Sequence, residues 1–465
     1  MDEKHIREEA REHGQEHVLD WLDELEDEQH DRMLEQLSEV DFDRVSEMAS
    51  LIGREVEDID FSSVEPGPVD KLPRNQTEEE REQEVMQGGR QALEDDRVAC
   101  LTVAGGQGTR LKYDGPKGEF PITPVQKKSL FQVHAEKIMA VRRDFGCTLP
   151  WFIMTSTEND EPTRDFFEEN DYFGLDPETV HFFPQKMQPI LGKNGELLRK
   201  NEDELLLGPG GHGRTFHALH DSGALQALED GGWDLISYFQ VDNPLVPVAD
   251  ERFLGYHLRK DAEFSCKVIP KRGPDEGLGI AVLQDGHPAV IEYIEVPPEI
   301  AQETDSSGQL RYLYGSIAVH IINTDFVRRM VEEDLHLPWH IAEKEYEVVQ
   351  GTGDSRERRM TECYKFEQFI FEALPHAHDC AFVEVEREAE FSPVKNAQGE
   401  DSPQTARRMM TELWADWLEK AGVDVRDGGQ VKYDIEISPL FARDASELEQ
   451  NLPRNWNPDD PVVLE

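Results

Sequence analysis

The stretch of this sequence best suited to chemistry is a glycine-rich turn that carries two cations. Residues 103–111 read Val-Ala-Gly-Gly-Gln-Gly-Thr-Arg-Leu, and Pro-Lys-Gly follows at 116–118. Glycines let backbone N–H groups approach a ligand closely, because no Cβ stands in the way. Arg110 and Lys117 add cationic donors suited to phosphate. The turn therefore predicts a nucleotide site in which phosphates lie between a loop and two cations.

The elements on either side of this turn are a strand and a helix. An apolar run at 98–103 is long enough for one buried strand, and residues 129–138 carry apolar side chains at helical spacing. Two familiar phosphate loops are excluded. Leu111 stands where a dinucleotide fingerprint needs its third glycine, and no Gly-Lys-Ser or Gly-Lys-Thr follows for a Walker A loop. On these residues alone, an ordinary glycine turn with solvated charges remains an alternative.

From residue 97 onward, short apolar runs alternate with helical patterns. The candidate strands are Cys100–Ala104, Trp151–Thr155, Val180–Phe183, Leu235–Val241, Cys266–Ile269 and Ala289–Tyr293. This alternation predicts an α/β fold whose sheet is mostly parallel and has helices on both faces. Ligands of such sheets lie beyond the carboxyl ends of the strands. Both the glycine turn and Asp242 follow a predicted strand directly, so we expect them at the same edge.

The chain divides into three predicted regions. Residues 1–95 hold amphipathic helices and a charged, proline-containing connector, and 96–362 form the central catalytic domain. The last region, 363–465, is predicted to begin with a helix from about Tyr364 that carries Phe366, Phe369 and Phe371, and to end in a small β-rich appendage.

The composition limits what this protein can bind. Its 465 residues include 98 acidic and 48 basic ones, for a formal charge of −50, which disfavours nucleic acid as a partner. The acidic surface suggests a salt-rich habitat, since salt screens self-repulsion. Five scattered cysteines read as reduced, mostly buried thiols. With no apolar leader and no membrane-length apolar run, the sequence predicts a cytoplasmic protein that is a monomer or weak homo-oligomer and binds no membrane.

A longer signature extends the glycine turn. The pattern Leu-x-x-Gly-x-Gly-Thr-x6-Pro-Lys is matched in register from Val103, in the leucine position, to Lys117. Further blocks follow in order, among them Phe-Phe-Pro-Gln-Lys-Met at 182–187, Gln-Val-Asp-Asn at 240–243 and Phe-Ser-Pro-Val-Lys-Asn at 391–396. In these blocks, which span most of the chain, the sequence resembles the eukaryotic-type UDP-sugar pyrophosphorylases. The branch that makes UDP-N-acetylglucosamine is the most similar.

The resemblance implies a fold, a reaction and a cofactor. The fold is a Rossmann-like (GT-A-like) nucleotidyltransferase with a central mixed, mostly parallel sheet, N-terminal helices and a small C-terminal domain. The reaction is uridylyl transfer from UTP to N-acetylglucosamine 1-phosphate, which releases pyrophosphate. Mg²⁺ is the implied cofactor. Since the reactants bring their own nucleophile, the protein mainly aligns them and neutralises charge.

The same resemblance implies residue roles. The catalytic candidates are Arg110, Lys117 and Lys395. The nucleotide-binding candidates are Ala104, Gly105, Gly106, Gly108, Thr109, Gln185 and Gly211. The sugar-binding candidates are His212, Glu292, Tyr293, Ser316, Phe369 and Phe371. Asp242 is the metal candidate, with an Asx turn through Asp242-Asn243-Pro244 as the structural alternative. Lys395 comes from the C-terminal region, so its segment is expected to close over the site.

Two departures from the family pattern leave the sugar open. His212 replaces an asparagine of the sugar-binding loop and is reminiscent of the glucose-specific branch, and Ser316 replaces another asparagine. A UDP-glucose or broad-specificity UDP-sugar pyrophosphorylase is therefore the nearest alternative. A non-catalytic nucleotide-binding scaffold is the alternative from a different class. The four charged residues Arg110, Lys117, Asp242 and Lys395 argue against it, because a degenerate binder need not retain them.

Overall fold

The computed structural model of the protein describes residues 2–54, 59–333, 335–454 and 456–465. The chain forms two compact units. The smaller unit consists of Met1–Asp58, Gln185–Arg214 and His336–Glu372. The larger unit consists of Ile59–Pro184, Thr215–Leu335 and Ala373–Glu465.

The helices and strands follow in chain order. The α-helices are α1 (Glu3–Glu12), α2 (His17–Glu24), α3 (Asp27–Glu39), α4 (Phe42–Leu51), α5 (Gln76–Glu94), α6 (Leu130–Phe145), α7 (Asp160–Glu169), α8 (Thr215–Asp221), α9 (Ala224–Asp230), α10 (Glu251–Arg259), α11 (Pro298–Ala301), α12 (Thr324–Glu332), α13 (Arg387–Glu390), α14 (Pro403–Lys420) and α15 (Ala445–Asn451). The strands are β1 (Val64–Pro66), β2 (Val69–Asp70), β3 (Val98–Val103), β4 (Trp151–Ser156), β5 (Val180–Gln185), β6 (Met187–Pro189), β7 (Arg199–Asn201), β8 (Glu204–Leu205), β9 (Leu207–Pro209), β10 (Leu235–Gln240), β11 (Phe264–Pro270), β12 (Ile280–Gln284), β13 (His287–Ile291), β14 (Tyr314–Asn323), β15 (His340–Gln350), β16 (Glu357–Glu367), β17 (Phe382–Glu384), β18 (Arg426–Asp427), β19 (Gln430–Val431), β20 (Ile435–Ile437) and β21 (Val462–Leu464).

The smaller unit packs four short helices against small hairpins. Helices α1 to α4 bury apolar side chains at three- and four-residue steps, as the sequence predicts for this region. Asp2 and Asp41 each accept a backbone N–H bond at a helix start and so satisfy a donor that lacks a partner within the helix. The apolar core of this unit includes Trp21, Met33 and Leu197.

The larger unit is built on one mixed sheet. Its strand order is β2-β17-β11-β14-β10-β3-β4-β5, and β12 also pairs with β14 and in turn with β1 and β13. The pairs β10–β3, β3–β4, β11–β17 and β17–β2 are parallel, whereas β14 is antiparallel to both β10 and β11. The prediction of a mixed, mostly parallel central sheet is confirmed.

The sheet register places the glycine turn and Asp242 side by side. β3 and β10 are parallel neighbours in which Val103 lies opposite Gln240. The ladder continues past the named strands, because the Val241 amide donates to the Val103 carbonyl at 3.2 Å. The residues that follow each strand therefore leave from the same edge of the sheet, which is where the strand pattern puts a ligand.

Helix α6 supports this edge and has clear start and stop signals. Ser129 caps its first turn by accepting the Gln132 amide at 3.1 Å, and Gly146 ends it in the left-handed conformation at φ +66°. Its side chain His134 bonds the Val241 carbonyl through Nε2 at 3.0 Å. The helix thus fixes the backbone immediately before Asp242.

One predicted element is wrong. The sequence favours a helix from about Tyr364, but Tyr364 and Phe366 lie in β16, which pairs with β15 along its whole length. A 3₁₀ helix over Ile370–His376 follows it. The apolar spacing from Phe366 to Phe371 imitates a helix, yet the long hairpin satisfies the strand's backbone groups, and tertiary pairing overrides local pattern.

Two further expectations concern burial and membranes. The five cysteines are buried free thiols, as predicted. Across the part of the chain that the structure describes, no helix is both long enough and apolar enough to cross a bilayer.

Candidate active site

The glycine turn after β3 folds back on itself. The Gly108 amide donates to the Gly115 carbonyl at 3.0 Å, and the Lys117 amide donates to the Gly106 carbonyl at 3.1 Å. These two bonds close a loop that returns the chain to the edge of β3, so that Lys117 lies next to the turn that precedes it by ten residues. Arg110 lies at the exposed outer part of the loop.

Glycines in this loop have different physical roles. A Cβ on Gly108 would lie 2.8 Å from the Tyr113 Cβ, and one on Gly118 would lie 2.2 Å from the Phe131 ring. Both positions require glycine for packing. A Cβ on Gly106 would meet nothing within 4 Å, and this glycine is exposed. Gly106 therefore presents its backbone to open space, as a loop that receives phosphate should.

Asp242 lies at the end of the neighbouring strand and carries the strongest electrostatic feature of the site. It is 5% exposed, and its Oδ2 accepts a bond from Lys117 Nζ at 2.6 Å. Burial opposes ionisation and is the largest influence on this carboxyl. Lys117, Lys395 and Arg110 together outweigh burial and hold the pKa of Asp242 below its usual value. Lys117 contacts this carboxylate directly, and Lys395 and Arg110 act on it through their charges, so these four residues form one electrostatic cluster.

Lys395 reaches this cluster on a segment without regular secondary structure. The Val394 amide donates to the Asp242 carbonyl at 2.9 Å, and the Lys395 amide donates to the Asp401 carbonyl at 2.7 Å. The half-buried Asp401 carboxyl has a raised pKa because of burial, and it senses both Lys395 and Asp242. The segment expected to close over the site is thus hydrogen-bonded to the end of β10 in this structure.

The sugar-binding candidates of the larger unit lie around β12. Ile280 pairs with Ile291 of β13 on one side and with Gly315 of β14 on the other. Glu292 directly follows Ile291, and Ser316 directly follows Gly315, so both candidates lie next to a neighbour of Ile280. Ser316 donates its amide to the Gly279 carbonyl at 2.8 Å. Tyr293 is farther out: its side chain is 49% exposed.

The remaining candidates belong to the smaller unit. Gln185 is buried, and Gly211 adopts φ +82°, where a Cβ would lie 2.4 Å from the Gln368 carbonyl oxygen. His212 Nδ1 accepts the Ile370 amide at 3.1 Å. The His212 ring stacks on Phe369 with centroids 5.4 Å apart and lies 6.0 Å from Phe371. The structure thus joins His212, Phe369 and Phe371 in one aromatic cluster.

Residues 42–409 match the family described as UTP–glucose-1-phosphate uridylyltransferase. The chain belongs to this family. The resemblance stated from the sequence motifs is confirmed, and the family consists of UDP-sugar uridylyltransferases.

Several similar proteins have names that refer to N-acetylglucosamine. The chain is 32% identical over 464 residues to UDP-N-acetylglucosamine diphosphorylase 2 of Arabidopsis thaliana, covering 95% of this chain and 90% of that protein. The crystal structure of the uridine diphosphate N-acetylglucosamine pyrophosphorylase from Trypanosoma brucei matches 98% of this chain and 97% of its own, with a TM-score of 0.85 and 29% identity. A putative UDP-N-acetylglucosamine pyrophosphorylase from Entamoeba histolytica matches 82% of this chain and 96% of its own, with a TM-score of 0.74 and 30% identity.

The side chains around Asp242 fit a magnesium ion that is held by a single protein carboxylate. Mg²⁺ prefers oxygen ligands, keeps several waters and is usually held by one or two carboxylates together with substrate phosphates. Asp242 supplies one buried carboxylate, and the residues described contain no group of three or more His, Cys, Asp or Glu able to hold a metal by themselves. The donor set therefore fits an ion whose other ligands are phosphate oxygens and water.

Two contributors were not singled out from the sequence. Asn243 enters the sequence prediction only within the Asx turn considered for Asp242. In the structure, Pro244 has no N–H for Asp242 to accept, and a bond of this type belongs to Asn243 itself, whose Oδ1 accepts the Leu245 amide at 3.3 Å. The same side chain also bonds a segment about 150 residues away, which no local pattern reveals. Asp401 lies in a polar stretch whose sequence gives no sign that it folds back toward Asp242.

Proposed function

We propose that this protein transfers the uridylyl group of UTP to N-acetylglucosamine 1-phosphate and releases pyrophosphate. A sugar-phosphate oxygen forms a bond to the α-phosphorus of UTP, and the bond from that phosphorus to the bridging oxygen of the β-phosphate breaks. The observation that carries the proposal is the cluster of Arg110, Lys117 and Lys395 around Asp242, next to an open glycine turn, in a member of this family.

The residues of the cluster have separate tasks in this proposal. Lys117 and Lys395 neutralise phosphate charge as pyrophosphate leaves, and exposed Arg110 receives the triphosphate from solvent. Before substrate binds, Lys117 is paired with Asp242. We expect this pair to open so that Lys117 faces phosphate and Asp242 faces the metal. Asp242 would hold Mg²⁺, which when bound would supply positive charge that offsets the negative charge of the leaving group.

The base and the sugar are assigned to the remaining candidates. In the smaller unit, Gln185 and Gly211 are assigned to the base, because an amide such as that of Gln185 can pair with the donor and acceptor edge of uracil. In the larger unit, the backbone of the glycine turn is assigned to the nucleotide. The Glu292 carboxylate can accept bonds from sugar hydroxyls, and the Tyr293 hydroxyl can donate or accept one, so both residues are assigned to the sugar. Phe369 and Phe371 are assigned to the acetamido group, and the named relatives support N-acetylglucosamine as the sugar.

A second sugar preference is favoured by one residue. His212, which replaces the family asparagine, stacks on Phe369, one of the two residues assigned to the acetamido pocket. The alternative is therefore a UDP-glucose or broad-specificity enzyme. Pyrophosphate release is to be measured with UTP, Mg²⁺ and the 1-phosphates of N-acetylglucosamine, N-acetylgalactosamine and glucose. A higher kcat/KM for N-acetylglucosamine 1-phosphate supports the proposal, and a preference for glucose 1-phosphate overturns the sugar assignment.

The role of the cluster is tested by matched lysine variants. Lys117→Gln should lower kcat/KM by about 10²- to 10³-fold, the loss typical of one preorganised group that stabilises transition-state charge. Lys112→Gln is the control, because Lys112 lies in the same loop but is exposed and outside the cluster. Equal activities of the two variants would remove Lys117 from the mechanism.

A further inference from the structure

The Lys395 segment needs something other than secondary structure to hold it. Residues 391–395 form neither helix nor strand, although Lys395 must keep its charge beside Asp242. A side chain on such a segment would sample many positions unless its backbone were fixed. A buried amide side chain fixes this backbone: that of Asn243, which directly follows Asp242.

Asn243 uses both ends of its amide on the Lys395 segment. Its Nδ2 donates to the Glu390 carbonyl at 2.7 Å, and its Oδ1 accepts the Ser392 amide at 3.0 Å. The side chain is buried, with the residue 4% exposed. The orientation of the amide is set by its partners, since the carbonyl needs a donor and the N–H needs an acceptor. An aspartate, which can only accept when ionised, could not satisfy both.

The bonded segment is anchored on its far side as well. Glu390 ends α13, and its carboxylate accepts a bond from Lys267 Nζ at 2.6 Å. Lys267 has a fully buried side chain and is also bonded to Asp250 at 2.5 Å. A buried charge held this way resists displacement, because moving either partner leaves an uncompensated charge. The Glu390 carbonyl is thus a fixed point for Asn243.

We propose that Asn243 is a positioning residue, which locks the 390–395 segment so that Lys395 is held beside Asp242 for catalysis. This proposal rests on the proposed function of Lys395. Asn243 touches neither substrate nor metal in it and acts only through the lysine. The direct bond between the Val394 amide and the Asp242 carbonyl completes the lock one residue before Lys395.

The decisive experiment is a double-mutant cycle on the full chain. Asn243→Ala should lower kcat/KM for pyrophosphate release by about 10- to 100-fold, as expected for misplacing a charged group by about 1 Å. In a Lys395→Ala background, the same change should cost less than about threefold, because the group it positions is gone. Losses that multiply in the double variant would overturn the proposal.

A matched control comes from a second buried asparagine. Asn159 also uses both ends of its amide: its Nδ2 donates to the Ala104 carbonyl at 2.9 Å, and its Oδ1 accepts the amide of Ser156, three residues earlier, at 2.7 Å. Asn159→Ala removes a clamp of the same kind at a place that does not hold Lys395. The fold-losses in kcat/KM caused by Asn159→Ala and by Lys395→Ala should multiply in their double variant. If Asn243 had a merely structural role, the losses caused by Asn243→Ala and by Lys395→Ala would multiply in the same way.

A split between kcat and KM supplies a readout that general loss of stability would not change. In Asn243→Ala, kcat should fall because Lys395 acts as pyrophosphate leaves, whereas KM for the sugar 1-phosphate should stay close to that of the parent. A raised KM with an unchanged kcat would overturn the positioning role.

Hydrogen exchange separates this proposal from the proposed function. Amides of the 391–396 segment should exchange faster in Asn243→Ala than in the parent, with little change in Asn159→Ala. Unchanged exchange overturns the clamp whatever the enzyme's activity. If the parent releases no pyrophosphate with any sugar 1-phosphate, the proposed function fails. The double-mutant cycle is then measured as UTP affinity by calorimetry. A smaller loss of affinity from Asn243→Ala in the Lys395→Ala background supports the clamp, and additive losses of binding free energy refute it.

Discussion

Removing Lys117 should destabilise the protein through the carboxylate that it leaves behind. At the observed 2.6 Å, attraction between the two charges is about 6 kcal/mol at an effective dielectric constant near 20. Desolvation of both ions offsets part of this attraction. Breaking a buried pair by removing one partner typically costs about 3–5 kcal/mol. Both side chains are largely buried, at 14% and 8% exposure, so we expect Lys117→Gln to lie in that range.

The pH dependence of this loss identifies its cause. In the parent, the lowered pKa of Asp242 stabilises the fold at pH values above the ordinary carboxyl pKa. This contribution is lost as pH falls through the pKa of Asp242 in the folded state. In Lys117→Gln, burial remains while the nearest cation is gone, so the pKa of Asp242 rises. The penalty should be largest at neutral pH. It should shrink as pH falls through the raised pKa of Asp242 in the variant, and so be clearly smaller at about pH 4, near the ordinary carboxyl pKa, than at pH 7.

Urea unfolding of the parent, Lys117→Gln, Asp242→Asn and the double variant measures the coupling. The double variant should recover much of the stability that Lys117→Gln loses, because no uncompensated charge remains. Lys112→Gln, at an exposed position of the same loop, should unfold like the parent. Equal losses at pH 4 and pH 7, or a double variant whose loss is the sum of the two single losses, would refute the argument.

Three further results are expected. Gly118→Ala should lower the free energy of unfolding by about 1–3 kcal/mol because its Cβ would overlap the Phe131 ring, whereas Gly106→Ala should unfold like the parent; equal stabilities would contradict this. Burial lowers the pKa of His134 to about 3. The free energy of unfolding of the parent should therefore fall as pH decreases below about 6.5, by up to about 1.4 kcal/mol per pH unit. In urea unfolding, His134→Gln should lack this pH dependence. Added KCl should raise the melting temperature, since the formal charge of −50 repels itself in dilute salt; a melting temperature that is highest in dilute salt would reject the salt-rich habitat.

The sequence predicts the edge of the sheet well, because its signals there are local. The runs before Ala104 and Asp242 are short and apolar, and each ends in residues unsuited to a buried strand. Parallel neighbours then bring their carboxyl ends together, as the opposition of Val103 and Gln240 shows. The family motifs identify the three cations of the cluster. The spacing of residues along the sequence does not by itself show that Lys395 and Lys117 act on the same carboxylate.

The parts that sequence reasoning missed depend on long-range pairing. β14 lies between β10 and β11 in the sheet, yet it was not among the candidate strands. The β15–β16 hairpin was missed because aromatic spacing near Phe366 resembles a helix. Asn243 forms its two key bonds with residues 147 and 149 positions away. Such contacts follow from the folded backbone and leave no periodic trace in the sequence.

The most direct test of uridylyl transfer at this site follows the label of UTP. With N-acetylglucosamine 1-phosphate and Mg²⁺, label in the α-phosphate should appear in the UDP-sugar, and label in the γ-phosphate should appear in pyrophosphate. Asp242→Asn should slow both appearances equally and shift their Mg²⁺ dependence to higher concentration. Release of γ-label as inorganic phosphate, or no UDP-sugar formed with any sugar 1-phosphate, would contradict the account.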